Sequence, residues 1–152
     1  MFGRTHILIG VAGWVVAAET LGQPLSVESL AAAALGSLLP DIDHPRAMLG
    51  RRLPGVSHII RAVAGHRGFT HSAFAVVLLV LGLNALSPAN WHLALVLGMA
   101  SHLMADMLTP GGIPLLWPVK MRIRSPLVFR SGGVVEYSLN FAVLGGLVWF
   151  FR

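Results

Sequence analysis

The chain has 152 residues, of which 55% are hydrophobic and 11% are Asp, Glu, Lys or Arg, with a net charge of +5. A soluble domain carries about 25% charged residues on average, so less than half the usual allotment is present, and so apolar a chain cannot stay solvated as a disordered one. It has no Cys, which excludes disulfides, a thiol nucleophile and any Cys-ligated zinc or iron–sulfur centre, and the length suits a single domain over residues 1–152.

Five apolar segments follow one another at about 6–20, 27–41, 70–87, 92–109 and 136–151. Each is roughly 15–18 residues, or about 22–27 Å as helix, near the short limit for a bilayer core of about 30 Å. No alternating pattern appears, and backbone in lipid must satisfy its own hydrogen bonds. The expected fold is therefore all-α, a polytopic transmembrane bundle of about five helices. The connectors at 22–26 and 87–90 are short and carry no Lys or Arg. Those at 44–68 and 110–135 are long and basic, holding Arg46, Arg51, Arg52, Arg61 and Arg67 in the first and Lys120, Arg122, Arg124 and Arg130 in the second. Two segments separate the long connectors, so both lie on one side, together with Arg4. That side holds ten of the eleven basic residues and is cytoplasmic by the positive-inside rule. The positive balance thus reads as orientation and anion handling, and nucleic acid is not an expected partner. Residues 1–18 lack an A-x-A cleavage site and read as the first helix, not as a signal peptide.

This topology gathers titratable residues from distant segments at the cytoplasmic end. His6 opens the first segment, Asp41, Asp43 and His44 close the second, and His66 and His71 flank the start of the third. His102 and Asp106 lie in the last turns of the fourth, and Glu136 opens the fifth. His102 and Asp106 are the most specific pair. A separation of four puts them on one helix face, about 5–6 Å apart at the β-carbons, a natural bite for a metal. Asp106 is also the sole formal charge between Arg67 and Lys120, and an ionisable group in such a stretch is a functional hypothesis by default. In the stretch from His66 to His71, five residues turn a helix by about 500°, so the two imidazoles would not share a helical face. Gly68 lets a loop aim both at one centre, with Thr70 as the helix N-cap. The expected metal ligands are His6, Asp41, His66, His71, His102 and Asp106. Asp43 and His44 are expected to complete the shell or act as acid and base, and Arg67 to clamp a phosphate or carboxylate. Mixed His and Asp donors suit zinc first, with manganese or ferrous iron also possible, as one ion or two.

The motifs Leu39-Pro-Asp-Ile-Asp-His-Pro45, Gly65-His-Arg-Gly-Phe-Thr-His-Ser72 and Ser101-His-Leu-Met-Ala-Asp-Met-Leu-Thr-Pro110 together resemble the YdjM-type family of bacterial inner-membrane proteins. His6 and the stretch Gly111-Gly-Ile-Pro-Leu-Leu-Trp-Pro118 agree with that family as well, so the resemblance spans about residues 4–137. It implies a multi-pass inner-membrane protein and a presumed metal-dependent hydrolase, with some relatives under LexA control. A fainter similarity to secreted zinc-dependent phospholipases C rests on patterning such as His102-x-x-x-Asp106. The expected activity is hydrolysis of a lipid-linked substrate, a phosphoester in preference to an amide or carboxylic ester, with membrane lipids as surroundings. The competing expectations are a metal or proton transporter and a non-catalytic metal-stabilised membrane scaffold. Transport usually needs polar groups along the whole path, whereas here they collect at one end.

Overall fold

Ser26 closes a capping box on Ser29, and Val27–Gly36 follows as a helix until Pro40 helps to turn the chain into a 3₁₀ turn, Pro40–Asp43. The second apolar segment is therefore ten residues of α-helix, not fifteen. The computed structural model describes residues 1–86 and 89–152. Among them the α-helices are α1 (Gly3–Thr20), α2 (Val27–Gly36), α3 (Pro54–Ala64), α4 (Ala73–Asn84), α5 (Trp91–Met107) and α6 (Val134–Phe150). Five of the six correspond to the apolar segments. The sixth, α3, lies inside the connector 44–68, where the sequence pattern suggested only loop. Ser87 and Pro88, in the short connector before α5, lie outside the described residues.

No helix among the described residues is long and apolar enough to cross a membrane. α2 and α4, with 10 and 12 residues, are much shorter than the segments expected from sequence, whereas α1, α5 and α6, with 18, 17 and 17, match theirs closely. The expectation of a helix-spanned membrane bundle is not supported by any described helix. The all-helical class holds, and the only pairing outside helices is one antiparallel bridge between Ile113 and Ile123 among the described residues.

α5 is the central element and packs on α2, α1 and α4, while α6 packs on α1. The core between these helices is built from Trp14, Ala18, Ala32, Ala33, Leu83, Ala94 and Leu95. Its alanines let α2 and α5 come together backbone to backbone, and two glycines complete the approach. A β-carbon at Gly36 would overlap the Leu95 carbonyl, and one at Gly98 would overlap the Ala33 carbonyl. Trp14 is fully buried and its indole N–H donates to Ser29 Oγ at 2.9 Å, tying α1 to α2. By contrast α4 and α6 turn large apolar side chains outward, including Phe74, Val77 and Leu81 on α4 and Phe141, Val148 and Trp149 on α6.

The backbone contact between α2 and α5 gives a direct test. Gly98→Ala should destabilise the fold by about 1–3 kcal/mol through overpacking, seen as a lower melting temperature in detergent. Gly13→Ala, where a β-carbon meets nothing within 4 Å, should be neutral or stabilising by up to about 1 kcal/mol.

Candidate metal centre

The close approach of α2 and α5 determines where His102 points. Its Nδ1 donates to the Ser37 carbonyl at 2.7 Å, just beyond the end of α2. That bond fixes the tautomer and leaves the Nε2 lone pair free. His71 is fixed in a comparable way. Thr70 Oγ1 donates to Asp43 Oδ2 at 2.9 Å and lies 3.1 Å from His71 Nδ1, whose N–H it accepts. Thr70 therefore does not cap α4; Ser72 does, accepting from Ala75 N at 3.3 Å.

Both free Nε2 atoms are buried without a hydrogen-bond partner. His71 Nε2 lies 3.7 Å from Asp41 Oδ1 and 3.8 Å from Asp106 Oδ2. His102 Nε2 lies 3.9 Å from each of the same two oxygens. Lone pairs and carboxylate oxygens thus face one another at separations too long for hydrogen bonds. Acceptors facing acceptors in a buried site are unfavourable unless a cation lies among them. Four donors about 2.1 Å from a tetrahedral ion are about 3.4 Å apart, close to the spacing found. His6, at the start of α1, stacks on the His102 ring at 3.7 Å and brings Nε2 to 3.4 Å from Asp106 Oδ1. Two groups of three, His6 with Asp41 and His102, and His71 with His102 and Asp106, are close enough to hold an ion.

Of the six residues expected as ligands, five converge and His66 does not. Its Nδ1 is 3.1 Å from Asp43 Oδ1, and its partly exposed ring lies edge-on to His71 at 6.2 Å. Gly65, at φ +75°, and Arg67, at φ +52°, bend this loop so that His66 turns toward Asp43. The left-handed conformation of Arg67 is uncommon for a residue with a β-carbon. It is held by three contacts: Arg67 N–H donates to Asp43 Oδ2 at 2.8 Å, Nη2 pairs with Asp106 Oδ2 at 2.7 Å, and Nη1 donates to Thr109 Oγ1 at 3.3 Å.

Asp43 is fully buried and serves as the hub beside the cluster, not within it. Burial opposes its ionisation, but His66 and His71, with the Thr70 hydroxyl, hold its carboxyl well below the usual range. Its oxygens are occupied by His66, Arg67 and Thr70, which leaves it no free face for acid–base work. His44 stands outside the cluster, with Nδ1 accepting from Arg46 N–H at 3.2 Å and its ring 4.7 Å from that of His66. Glu136 is buried at the end of α6 nearest the cluster and accepts from Phe2 N, Thr5 Oγ1 and Gly132 N at 2.8, 2.6 and 2.7 Å. It anchors the segment that carries His6. No sequence pattern pointed to Thr5 or the Ser37 carbonyl, and Thr70 was expected as a cap and not as the link between Asp43 and His71, because hydroxyls and carbonyls recruited across loops have no diagnostic spacing.

His6, His71, His102 and Asp106 are buried, whereas Asp41 is 18% exposed. Asp41 lines a cavity of about 500 Å³ whose walls also carry Arg4, His44, Arg46, Arg51, His66 and Arg67. Removing the Asp43 charge while keeping its volume tests the hub. If the cluster holds a divalent ion, Asp43→Asn should weaken its binding about 10–100-fold, measured by equilibrium dialysis with elemental analysis, as expected when a group that orients a ligating histidine is lost.

The family model described as YdjM inner membrane protein matches residues 1–151. Inner membrane protein YdjM of Escherichia coli K12 is 39% identical, over 98% of this chain and 82% of the relative, and its counterpart from Shigella flexneri matches equally. YvsG of Bacillus subtilis 168 is 38% identical, over 97% of this chain and 89% of the relative. No solved structure matches. The match over nearly the whole chain, with relatives at this identity, makes this protein a member of the YdjM family of inner membrane proteins.

Proposed function

We propose that this protein is a membrane-embedded metal-dependent hydrolase acting on a lipid-linked phosphoester at the cytoplasmic interface. The observation that carries the reading is the single partly open side of the buried donor cluster. There Asp41 and Arg67 meet a cavity walled by four arginines, of which Arg67 alone is paired with a carboxylate among the described residues. Arg4 is engaged by the Tyr137 hydroxyl and the Phe2 and Tyr137 rings, while the guanidinium groups of Arg46 and Arg51 suit the oxygens of a phosphate, which they can hold bidentately. Family membership and the outward apolar faces of α4 and α6 support immersion in the inner membrane. At about 25–27 Å, α1, α5 and α6 fall a little short of the bilayer core, and α2 and α4, at about 15 and 18 Å, fall well short. A multi-pass arrangement therefore needs local thinning of the bilayer and non-helical chain at the ends of α2 and α4. In this arrangement the chain is multi-pass, with the arginine-bearing loops cytoplasmic.

Asp41, His71, His102 and Asp106 would hold the ion, with His6 as a fifth donor. The cluster would hold one ion rather than two. Both possible groups require His102, whose Nδ1 is committed to Ser37, so a single Nε2 lone pair is available. Zinc fits the donor set best, and when bound it would supply a nucleophile from water near neutral pH and positive charge for the phosphoryl oxygens. His66 is the proton carrier. Asp43 holds its Nδ1–H, so Nε2 can take the proton of the attacking water as the new P–O bond forms. The imidazolium then returns that proton to the leaving oxygen as the ester P–O bond breaks. Asp43 positions His66 by holding its Nδ1–H, the orienting role that a buried carboxylate has beside a catalytic histidine.

Two variants separate these roles. His102→Ala should lose bound zinc and turnover of phospholipid or polyprenyl phosphoesters together, with the protein still in the membrane. His66→Gln should keep stoichiometric zinc while kcat falls by about 10²–10⁴. Full activity of metal-stripped wild type would overturn the hydrolase reading, and loss of zinc in His66→Gln would return His66 to the ligand set. Zinc uptake by proteoliposomes without any hydrolysis would favour a transporter.

A further inference from the structure

α3 carries an apolar face that nothing in the fold covers. It is much the most amphipathic helix of the protein. By helical geometry Val56, Ile59 and Val63 fall within about 60° of one another. All three are exposed, Ile59 by 66% and Val63 by 83%, and Leu53 extends the patch at the N-terminal end. The opposite side presents His58 and Arg61. A third side faces the protein, where Ser57 is fully buried and α3 packs on the Pro40–Asp43 turn. Gly50 permits this docking, since a β-carbon there would overlap the His44 carbonyl and meet Ser57 Oγ at 3.0 Å.

We infer that α3 is an interfacial helix, lying in the plane of an anionic bilayer surface with Val56, Ile59 and Val63 buried among the lipid chains. The inference rests on the membrane reading above. Charge complementarity selects the occupant. Arg51, Arg52 and Arg61 accompany the apolar face, and no acidic residue occurs between Asp43 and Asp106 to repel phosphate headgroups. A helix that is apolar on one face and basic on another, with moderate overall hydrophobicity, binds at the headgroup boundary and does not span. Arg51 belongs both to this basic flank and to the cavity wall, so seating α3 brings the cavity mouth to the depth of the headgroups. Because α3 packs on the turn bearing Asp41 and Asp43, the membrane surface sets the height of the donor cluster directly.

The absence of Cys makes the test clean. Ile59→Cys, Val63→Cys and His58→Cys, with Phe141→Cys on α6 as a lipid reference, would each carry a nitroxide label in nanodiscs. The discs would be phosphatidylcholine with or without a third of phosphatidylglycerol. In the anionic discs, labels at 59 and 63 should show a several-fold higher ratio of oxygen to nickel-chelate accessibility than the label at 58. Arg52→Gln with Arg61→Gln should abolish the difference between the two disc compositions. Aqueous accessibility at 59 and 63, with 141 still in lipid, would overturn the inference alone. Aqueous accessibility at all positions would overturn the membrane reading with it. Spin–spin broadening at 59 and 63, without oxygen exposure, would show a second copy of the chain covering the face instead.

Discussion

The close passage of α2 and α5 is the constraint from which the site follows. Without side chains at Gly36 and Gly98, the two backbones approach until the carbonyl of Ser37 can accept the Nδ1–H of His102. That bond decides which nitrogen of His102 faces inward, and it couples helix packing to donor chemistry. A sub-ångström change at Gly98 would thus be felt both as lost stability and as a misdirected imidazole, since a packed interface transmits strain instead of absorbing it. Ser29, on the same helix, takes the indole N–H of the buried Trp14, so α1 and its His6 are brought to the cluster by the same element.

Around His102, His71 and Asp106 are held by Thr70 and Arg67, partners that are not themselves donors to the centre. Asp43 illustrates why. A carboxylate with no exposed surface is costly unless its oxygens are satisfied, and here they accept from a backbone N–H, a hydroxyl and an imidazole. Those three donors belong to residues 66–70, so one buried charge organises the whole histidine-bearing loop. The strained backbone of Arg67 belongs to the same economy: its N–H reaches Asp43 and its guanidinium reaches Asp106, bridging the hub and the cluster. Strain of that kind persists where surrounding contacts over-determine it, which is common at functional sites.

Legibility in the sequence tracked the physical origin of each feature. His102 and Asp106 could be read because helical periodicity converts a spacing of four into a shared face. Asp41 and His71 could be read as members of polar motifs at the ends of apolar segments. His66 was misplaced because loop direction depends on φ values at Gly65 and Arg67, which no spacing encodes. The second segment is longer than its helix because hydropathy continues through Leu38, Leu39 and Ile42 after the α-helix has given way to a 3₁₀ turn. α3 was hidden for the opposite reason. Its valines and isoleucines are interleaved with Arg61, His58, Gly55 and Pro54, so average hydropathy stays low while one face is strongly apolar.

The distribution of charge then acquires a single physical explanation. An ionised side chain in an apolar protein is tolerated where it is paired, as Asp106 is with Arg67, or where it can reach water and headgroups. The basic residues satisfy the second condition by collecting in the loops beside the cluster, and that crowding is what lines the cavity with Arg4, Arg46, Arg51 and Arg67. On the proposed reading, topology signals and anion-binding groups are therefore not alternatives: the arginines that would orient the chain in the membrane are the ones that line the cavity beside Asp41, where a lipid phosphate would approach.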